Sequence, residues 1–279
     1  MENTVEFTQG KNFTSEKFLT KELSITQLPN EFSFNDEIKY GLLSFEKWSK
    51  ESNKEVGGVL FIDLKNKICL KELFKGEENE VRIKAVDFSN SSKNKIDEYL
   101  KSIKWDQLLY GRKKEVGFIL LPENYLNTSL LPTGYVIEKG KRIIGDVHAH
   151  QNTPSYPFPL ALFSNYTDAP PSPQDFTNMI FGAGPFVSGI IHGGNLYLML
   201  RTKETPSRLK REILPNGEKS EKSYMKKMME EIENLVGKDE KESLMVEDAQ
   251  RKVLINHCSQ NNIALYFGEI SDNRFKRVV

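Results

Sequence analysis

Short apolar runs rich in branched and aromatic side chains constrain the fold of this chain more than any other feature of the sequence. The first spans residues 55–64 and reads Glu-Val-Gly-Gly-Val-Leu-Phe-Ile-Asp-Leu. A run of this length and composition is typical of a buried strand and is too short for a typical helix. Comparable runs that predict strands follow at residues 67–74, 81–86, 116–121, 142–150, 186–192, 196–200 and 263–268. We therefore expect a sheet, with a hairpin turn at residues 193–195.

Segments with helical periodicity are interleaved with these strands. Apolar side chains recur at steps of three and four residues at Ile38, Leu42, Phe45 and Trp48. This spacing predicts an amphipathic helix over residues 35–49, with Asn35 or Asp36 as its cap. Residues 93–109 have the same periodicity, and the Lys- and Glu-rich segment 218–260 predicts two largely solvated helices. The mixed order of elements indicates an α/β or α+β fold, with one mixed central sheet flanked by helices.

The distribution of these elements suggests three parts of the 279-residue chain. Residues 1–35 are polar and irregular, with one possible strand at 17–25, and are interpreted as an N-terminal extension. Residues 36–205 form the predicted core, in which a proline-rich loop is inserted at 151–171. Residues 206–279 form a helical C-terminal region whose final strand is expected at the edge of the sheet.

Charge and cysteine content indicate the compartment of the protein and the classes of partner that it binds. Lys and Arg together number 39, as do Asp and Glu, so the formal net charge is zero and no field favours nucleic acid or anionic lipid. The two cysteines encode no disulfide framework. The N-terminus lacks the basic start and apolar run of a secretion signal. We therefore expect a cytoplasmic protein with no nucleic-acid or membrane partner.

The segment Asp146-Val147-His148-Ala149-His150 contains half of the four histidines of the chain. Because side chains alternate along a strand, His148 and His150 project from the same face, where two imidazoles can share a metal ion. The alternative is a pair of ordinary polar residues at the end of a strand. Alternation places Asp146 on the same face, with the histidines and not behind them, so it is only a weak candidate for orienting a ligand histidine.

A second polar element, Ser172-Pro173-Gln174-Asp175, follows the proline-rich loop. Serine followed by proline is a typical helix start, and a helix cap alone explains every residue of this segment. The same geometry also brings a carboxylate and a hydroxyl into one cleft. An aspartate beside two histidines would make a three-ligand zinc site with one open position, as expected of catalytic zinc.

Taken together, these elements resemble the signature of the JAB/MPN (JAMM) zinc metalloenzyme family. The segment Glu55-Val56-Gly57-Gly58-Val59-Leu60 is similar to the Glu-x-x-Gly-x-Leu element that precedes the His-x-His and Ser-x-x-Asp elements in that family. The resemblance covers residues 36–205 and implies a JAB/MPN-like fold. It also implies that His148, His150 and Asp175 bind Zn2+, with a water in the fourth position. Glu55 would be the general base and acid, and Ser172 would stabilise the oxyanion.

The implied activity is that of a metalloprotease or isopeptidase. Its substrate would be a protein or peptide, with cleavage at the C-terminus of a ubiquitin-like protein or conjugate. Two departures accompany the resemblance: Gln151 stands where the family often has proline, and the interval to Ser172 is about twice the usual length. The loop 151–171 resembles a variable insertion of bacterial relatives and would form part of a substrate groove, a lid or simply a packed surface loop.

Two functions other than hydrolysis are alternatives for this sequence. A catalytically silent member of the same fold would act as a binding or assembly module. Such a copy would be free to lose the polar site residues, yet all of them are present: Glu55, His148, His150, Ser172 and Asp175. A nucleic-acid-processing role is the weakest, because the chain has no basic patch.

Several other polar residues are interpreted as structural. His192 and His257 lack a second ligand at suitable spacing, and Cys69 and Cys258 lack the arrangement of a nucleophile. Glu51 is the nearest rival to Glu55 as a general base, but it precedes a polar loop and is expected on the surface.

Overall fold

The structure is a computed structural model that describes residues 13–20, 22–63, 65–75, 83–88, 91–102, 116–126, 136–150, 171–181, 186–206, 215, 219–236 and 246–279. Its strands are β1 (Phe13–Ser15), β2 (Glu31–Ser33), β3 (Val56–Ile62), β4 (Ile68–Lys75), β5 (Ile83–Asp87), β6 (Val116–Leu121), β7 (Val136–Lys139), β8 (Arg142–Ala149), β9 (Val187–His192), β10 (Asn195–Arg201), β11 (Ile263–Glu269) and β12 (Phe275–Arg277). Its α-helices are α1 (Asp36–Ser52), α2 (Lys93–Ser102), α3 (Pro173–Phe181), α4 (Ser220–Val236) and α5 (Val246–Gln260). Each strand and helix predicted within the core segment therefore has a counterpart among the described residues.

Nine strands form one mixed sheet in the order β1-β2-β12-β11-β10-β9-β8-β3-β4. Strand β8 is the third strand from the β4 edge, antiparallel to β3 and parallel to β9. All seven residues of β3 are buried, which explains why its sequence is a continuous apolar run without polar alternation. Gly58 is required for this packing, since a Cβ there would lie 2.2 Å from the carbonyl oxygen of Lys71 on β4. The fold is thus a mixed α/β arrangement around a large mixed sheet, as expected.

The expectation of one sheet is wrong, because β5, β6 and β7 form a separate three-stranded parallel sheet. Parallel neighbours need a long crossover connection, and helix α2 lies in the connection between β5 and β6. This unit has its own small core, which includes Ile96 and Leu100 of α2 and Ile119 of β6. Residues 103–109 of the predicted helix lie outside the described residues.

Two expectations for the terminal regions are also wrong. No strand spans 17–25; the described part of that segment forms 3-10 helices at Glu16–Thr20 and Ile25–Gln27. Consecutive burial of Phe18 and Leu19 does not fit the alternation of a strand. The strand predicted at 263–268 is β11, which lies between β10 and β12 and not at the sheet edge. Both terminal regions contribute strands to the same sheet as the predicted core.

The two faces of the large sheet are covered by different helices. Helix α1 begins as predicted, with the Asn35 side chain accepting a hydrogen bond from the backbone N–H of Ile38, and it packs with Val147 and Ala149 of β8 on one face. The other face packs against α3, α4 and α5. Within the described segments, we find no helix with the length and apolar character needed to span a bilayer.

Candidate metal centre

The end of β8 presents two imidazoles to the face covered by α3. Because Val147 and Ala149 are buried on the α1 face, strand alternation directs His148 and His150 to the opposite face, as the sequence predicts. The backbone at this end of β8 is firmly held. The N–H of His150 donates to the carbonyl of Ile191 at 2.9 Å, and the hydroxyl of Ser49 donates to the carbonyl of His150 at 2.9 Å.

The start of α3 brings a carboxylate to the same place. The Oδ2 atom of Asp175 accepts hydrogen bonds from the backbone N–H of Ser172 at 2.8 Å and from its hydroxyl at 2.7 Å. In return the Ser172 Oγ accepts from the N–H of Asp175 at 3.2 Å, which is the reciprocal pattern of a capping box. The cap interpretation is therefore confirmed, and the cap itself fixes the carboxylate that points toward the histidines.

Three potential ligand side chains converge between β8 and α3. The two Nε2 atoms of His148 and His150 lie 3.1 Å apart. Asp175 Oδ1 is 3.3 Å from the Nε2 of His148, and Asp175 Oδ2 is 3.5 Å from that of His150. Zinc at metal–ligand distances of about 2.0–2.2 Å places tetrahedral ligands roughly 3.3–3.5 Å apart. The group could hold a metal ion of this size.

The three side chains are largely but not completely shielded from solvent. The exposed fraction is 22% for His148, 21% for His150 and 10% for Asp175. A site with three protein ligands and some solvent access can accept a further ligand from outside the protein, which distinguishes catalytic from structural zinc sites.

Glu55 lies beside this group. It immediately precedes β3, whose first residue, Val56, pairs with Ala149 between the two histidines. Its charge contributes to the raised pKa of His148, so its carboxylate lies within electrostatic range of the site. The rival Glu51 lies on the surface as expected, with 65% of its side chain exposed and a contact to Lys47 at 3.9 Å.

The two histidines differ in proton affinity although their ring nitrogens are adjacent. Burial lowers the pKa of His148, but the hydrogen bond and charge of Asp175 outweigh it and raise the pKa to about 9. Burial also lowers the pKa of His150, and the positive charge of His148 lowers it further. The charge of Asp175 raises this pKa but does not offset the other two effects, so the pKa falls to about 4. Burial raises the pKa of the Asp175 carboxyl, but the two histidines together lower it well below its usual range.

These shifts predict that a metal ion bound by these residues, tested with zinc, displaces one proton near pH 7. His148 carries a proton below pH about 9 and His150 carries none above pH about 4, and a metal needs the neutral form of both. Between pH 6 and 8 the apparent zinc affinity should therefore rise by about tenfold per pH unit. Titration calorimetry in buffers of different ionisation enthalpy measures the released proton directly. An affinity independent of pH in this range would contradict the assignment.

Asp146 and the remaining histidines occupy different surroundings. Burial raises the pKa of Asp146, which hydrogen-bonds with Ser188 and acts electrostatically on His148. His192 is buried near His150, with ring centroids 6.3 Å apart. His257 is buried between Tyr224 and Glu231, as expected of a structural histidine.

The structure also identifies supporting residues that the sequence does not reveal. Ser49 holds the backbone of His150, and Gln250 of α5 donates to the carbonyl of Pro171 at 3.1 Å, directly before Ser172. Neither contact has a signal in the sequence, because each joins residues far apart in the chain. Residues 151–170 of the predicted insertion lie outside the described residues.

Two comparisons with known proteins found no match to this chain. No protein-family model matches the chain, and no curated protein matches it.

Proposed function

We propose that the protein is a zinc-dependent metallopeptidase of the JAB/MPN type that hydrolyses a peptide or isopeptide bond. The observation that carries this proposal is the convergence of His148, His150 and Asp175 to ligand–ligand distances of 3.1–3.5 Å, with Glu55 within electrostatic range. The order of these residues along the chain is that of the family signature described above.

The donor set fits zinc better than it fits magnesium or calcium. Two imidazole nitrogens and one carboxylate oxygen suit zinc, whereas magnesium and calcium favour all-oxygen sites. His148, His150 and Asp175 would hold the ion. When bound, it would lower the pKa of a coordinated water from 15.7 toward about 7 and polarise the carbonyl of the scissile bond.

Glu55 would transfer the proton of the reaction. Its charge acts on His148, and it is not one of the three residues whose ligand atoms converge. It would accept the proton of the attacking water and deliver it to the leaving nitrogen, as hydrolysis of an amide requires. A positioned general base of this kind contributes a factor of about 10²–10⁴ to the rate.

Ser172 has a positioning role in this scheme. Its hydroxyl donates to Oδ2 of Asp175 at 2.7 Å, which orients the carboxylate toward the two imidazoles. Partners that orient ligands in this way contribute about 10–100-fold to metal affinity. Donation to an oxyanion, as the family resemblance implies, would require this hydroxyl to turn from Asp175 toward the substrate.

The proposal is tested with substrates that separate the two bond types. The zinc-loaded protein is incubated with ubiquitin-like proteins carrying either a C-terminal peptide fusion or an isopeptide-linked lysine. We expect cleavage of at least one class, loss of cleavage after chelation and recovery on addition of zinc. Tight binding of these proteins without cleavage would instead favour the binding-module interpretation.

A further inference from the structure

The helix that carries Asp175 is enclosed by the C-terminal helices. Phe176, the residue after Asp175, is fully buried. Its ring stacks on that of Tyr224 from α4, with the ring centroids 6.2 Å apart. Phe181, at the other end of α3, contacts the same tyrosine edge-on at 5.9 Å. The ring of Tyr224 therefore contacts phenylalanine side chains near the two ends of α3.

Tyr224 is itself held by hydrogen bonds centred on the buried side chain of His257. Its hydroxyl lies 2.7 Å from Nδ1 of His257 on α5, and Nε2 of that histidine lies 2.9 Å from the carboxylate of Glu231 on α4. His257 is 1% exposed and also contacts Phe176 at 5.8 Å. Both ring nitrogens of this buried histidine have a hydrogen-bond partner, and a buried polar side chain whose partners are all present makes a rigid local structure, so His257 supports the helices packed around it.

Two further contacts hold the ends of α3. The side-chain amide of Gln250 on α5 donates to the carbonyl of Pro171 at 3.1 Å, one residue before the Ser172 cap. At the other end, the guanidinium of Arg201 donates to the carbonyl of Met179 at 3.3 Å. Of these contacts, the one made by Gln250 is closest along the chain to the turn that directs the Asp175 carboxylate.

We propose that helices α4 and α5 form a clamp that sets the position of the Asp175 carboxylate, with Gln250 as its positioning residue. The proposal rests on the function proposed above. Zinc sites tolerate little displacement of a ligand, because each metal–ligand distance must stay within about 0.2 Å of its usual value. Gln250 acts on that position through the Pro171 carbonyl and the cap, without touching the metal or the substrate.

The test replaces Gln250 with glutamate, which keeps the shape but removes the donor, and separately with methionine, which removes it without adding charge. Gln260 provides a matched control on the same helix, since its amide donates to Asn256 at 3.1 Å on the exposed surface. The same two substitutions are made there. Each full-length variant is assayed for zinc affinity by competition with a chromophoric chelator, for its cobalt-substituted visible spectrum and for thermal unfolding without metal.

We expect both Gln250 variants to bind zinc about tenfold more weakly than the wild type and to show an altered cobalt spectrum. The Gln260 variants should match the wild type in both measurements. The spectrum separates positioning from general stability, because it reports the ligand geometry of the molecules that are folded. Wild-type affinity and spectrum in both Gln250 variants would overturn the clamp, whereas a wild-type protein that binds no zinc would overturn the proposed function itself.

Discussion

Replacing His148 and His150 together with alanine is expected to remove zinc binding. The wild-type protein should hold about one zinc per chain, since three side chains converge on a space that could hold a metal ion. Three protein ligands suffice for a catalytic zinc site. The double variant keeps only Asp175, and a single carboxylate does not retain zinc against dialysis. Elemental analysis of both proteins after dialysis in zinc-free buffer measures the difference.

Two carboxylate variants make this test specific. Asp175→Asn keeps an acceptor for the Ser172 N–H and therefore the helix cap, but it removes the charged ligand, so zinc content should fall. Asp248→Asn changes a carboxylate on α5 that is 54% exposed and should leave zinc content unchanged. Thermal unfolding of the metal-free double-histidine variant beside the metal-free wild type checks that a loss of zinc is not a loss of fold. Retention of one zinc per chain by that variant would refute the assigned site.

The parts of the centre that are predictable from sequence depend on local periodicity. Placement of His148 and His150 on one face follows from strand alternation alone. The Ser172 cap follows from the preference of serine and proline for the start of a helix. Both patterns extend over a few residues and are not altered by the rest of the fold, so the structure reproduces them.

The parts that are not predictable depend on contacts between distant segments. The Ser49 hydroxyl and the His150 carbonyl are separated by 101 residues in sequence, and Gln250 and Pro171 by 79. The second sheet was missed for the same reason, because an apolar run predicts a strand without indicating its neighbours. Proximity of Glu55 to the histidines was expected only through the family resemblance, and it depends on the antiparallel pairing of β3 with β8.

Replacing Glu55 with glutamine is expected to lower the rate of hydrolysis by about 10²–10⁴-fold, the usual contribution of a positioned general base. Glutamine keeps the size and hydrogen-bonding oxygen of the side chain but cannot accept a proton at neutral pH. Since Glu55 is not among the three converging ligand residues, the variant should retain its zinc. Single-turnover rates are measured on the ubiquitin-like substrate that the wild type cleaves, and zinc content is measured on the same preparations. The two measurements separate loss of the base from loss of the metal.

Glu51→Gln is the matched control, because Glu51 lies four residues away at the exposed end of α1. Its contact with Lys47 is an exposed pair of the kind that contributes little to stability, so both rate and zinc content should equal those of the wild type. If Glu55→Gln and Glu51→Gln hydrolyse the substrate at the same rate with one zinc each, Glu55 is not the base. If Glu55→Gln instead loses its zinc, the carboxylate belongs to the metal-binding group, and proton transfer must be assigned to another residue.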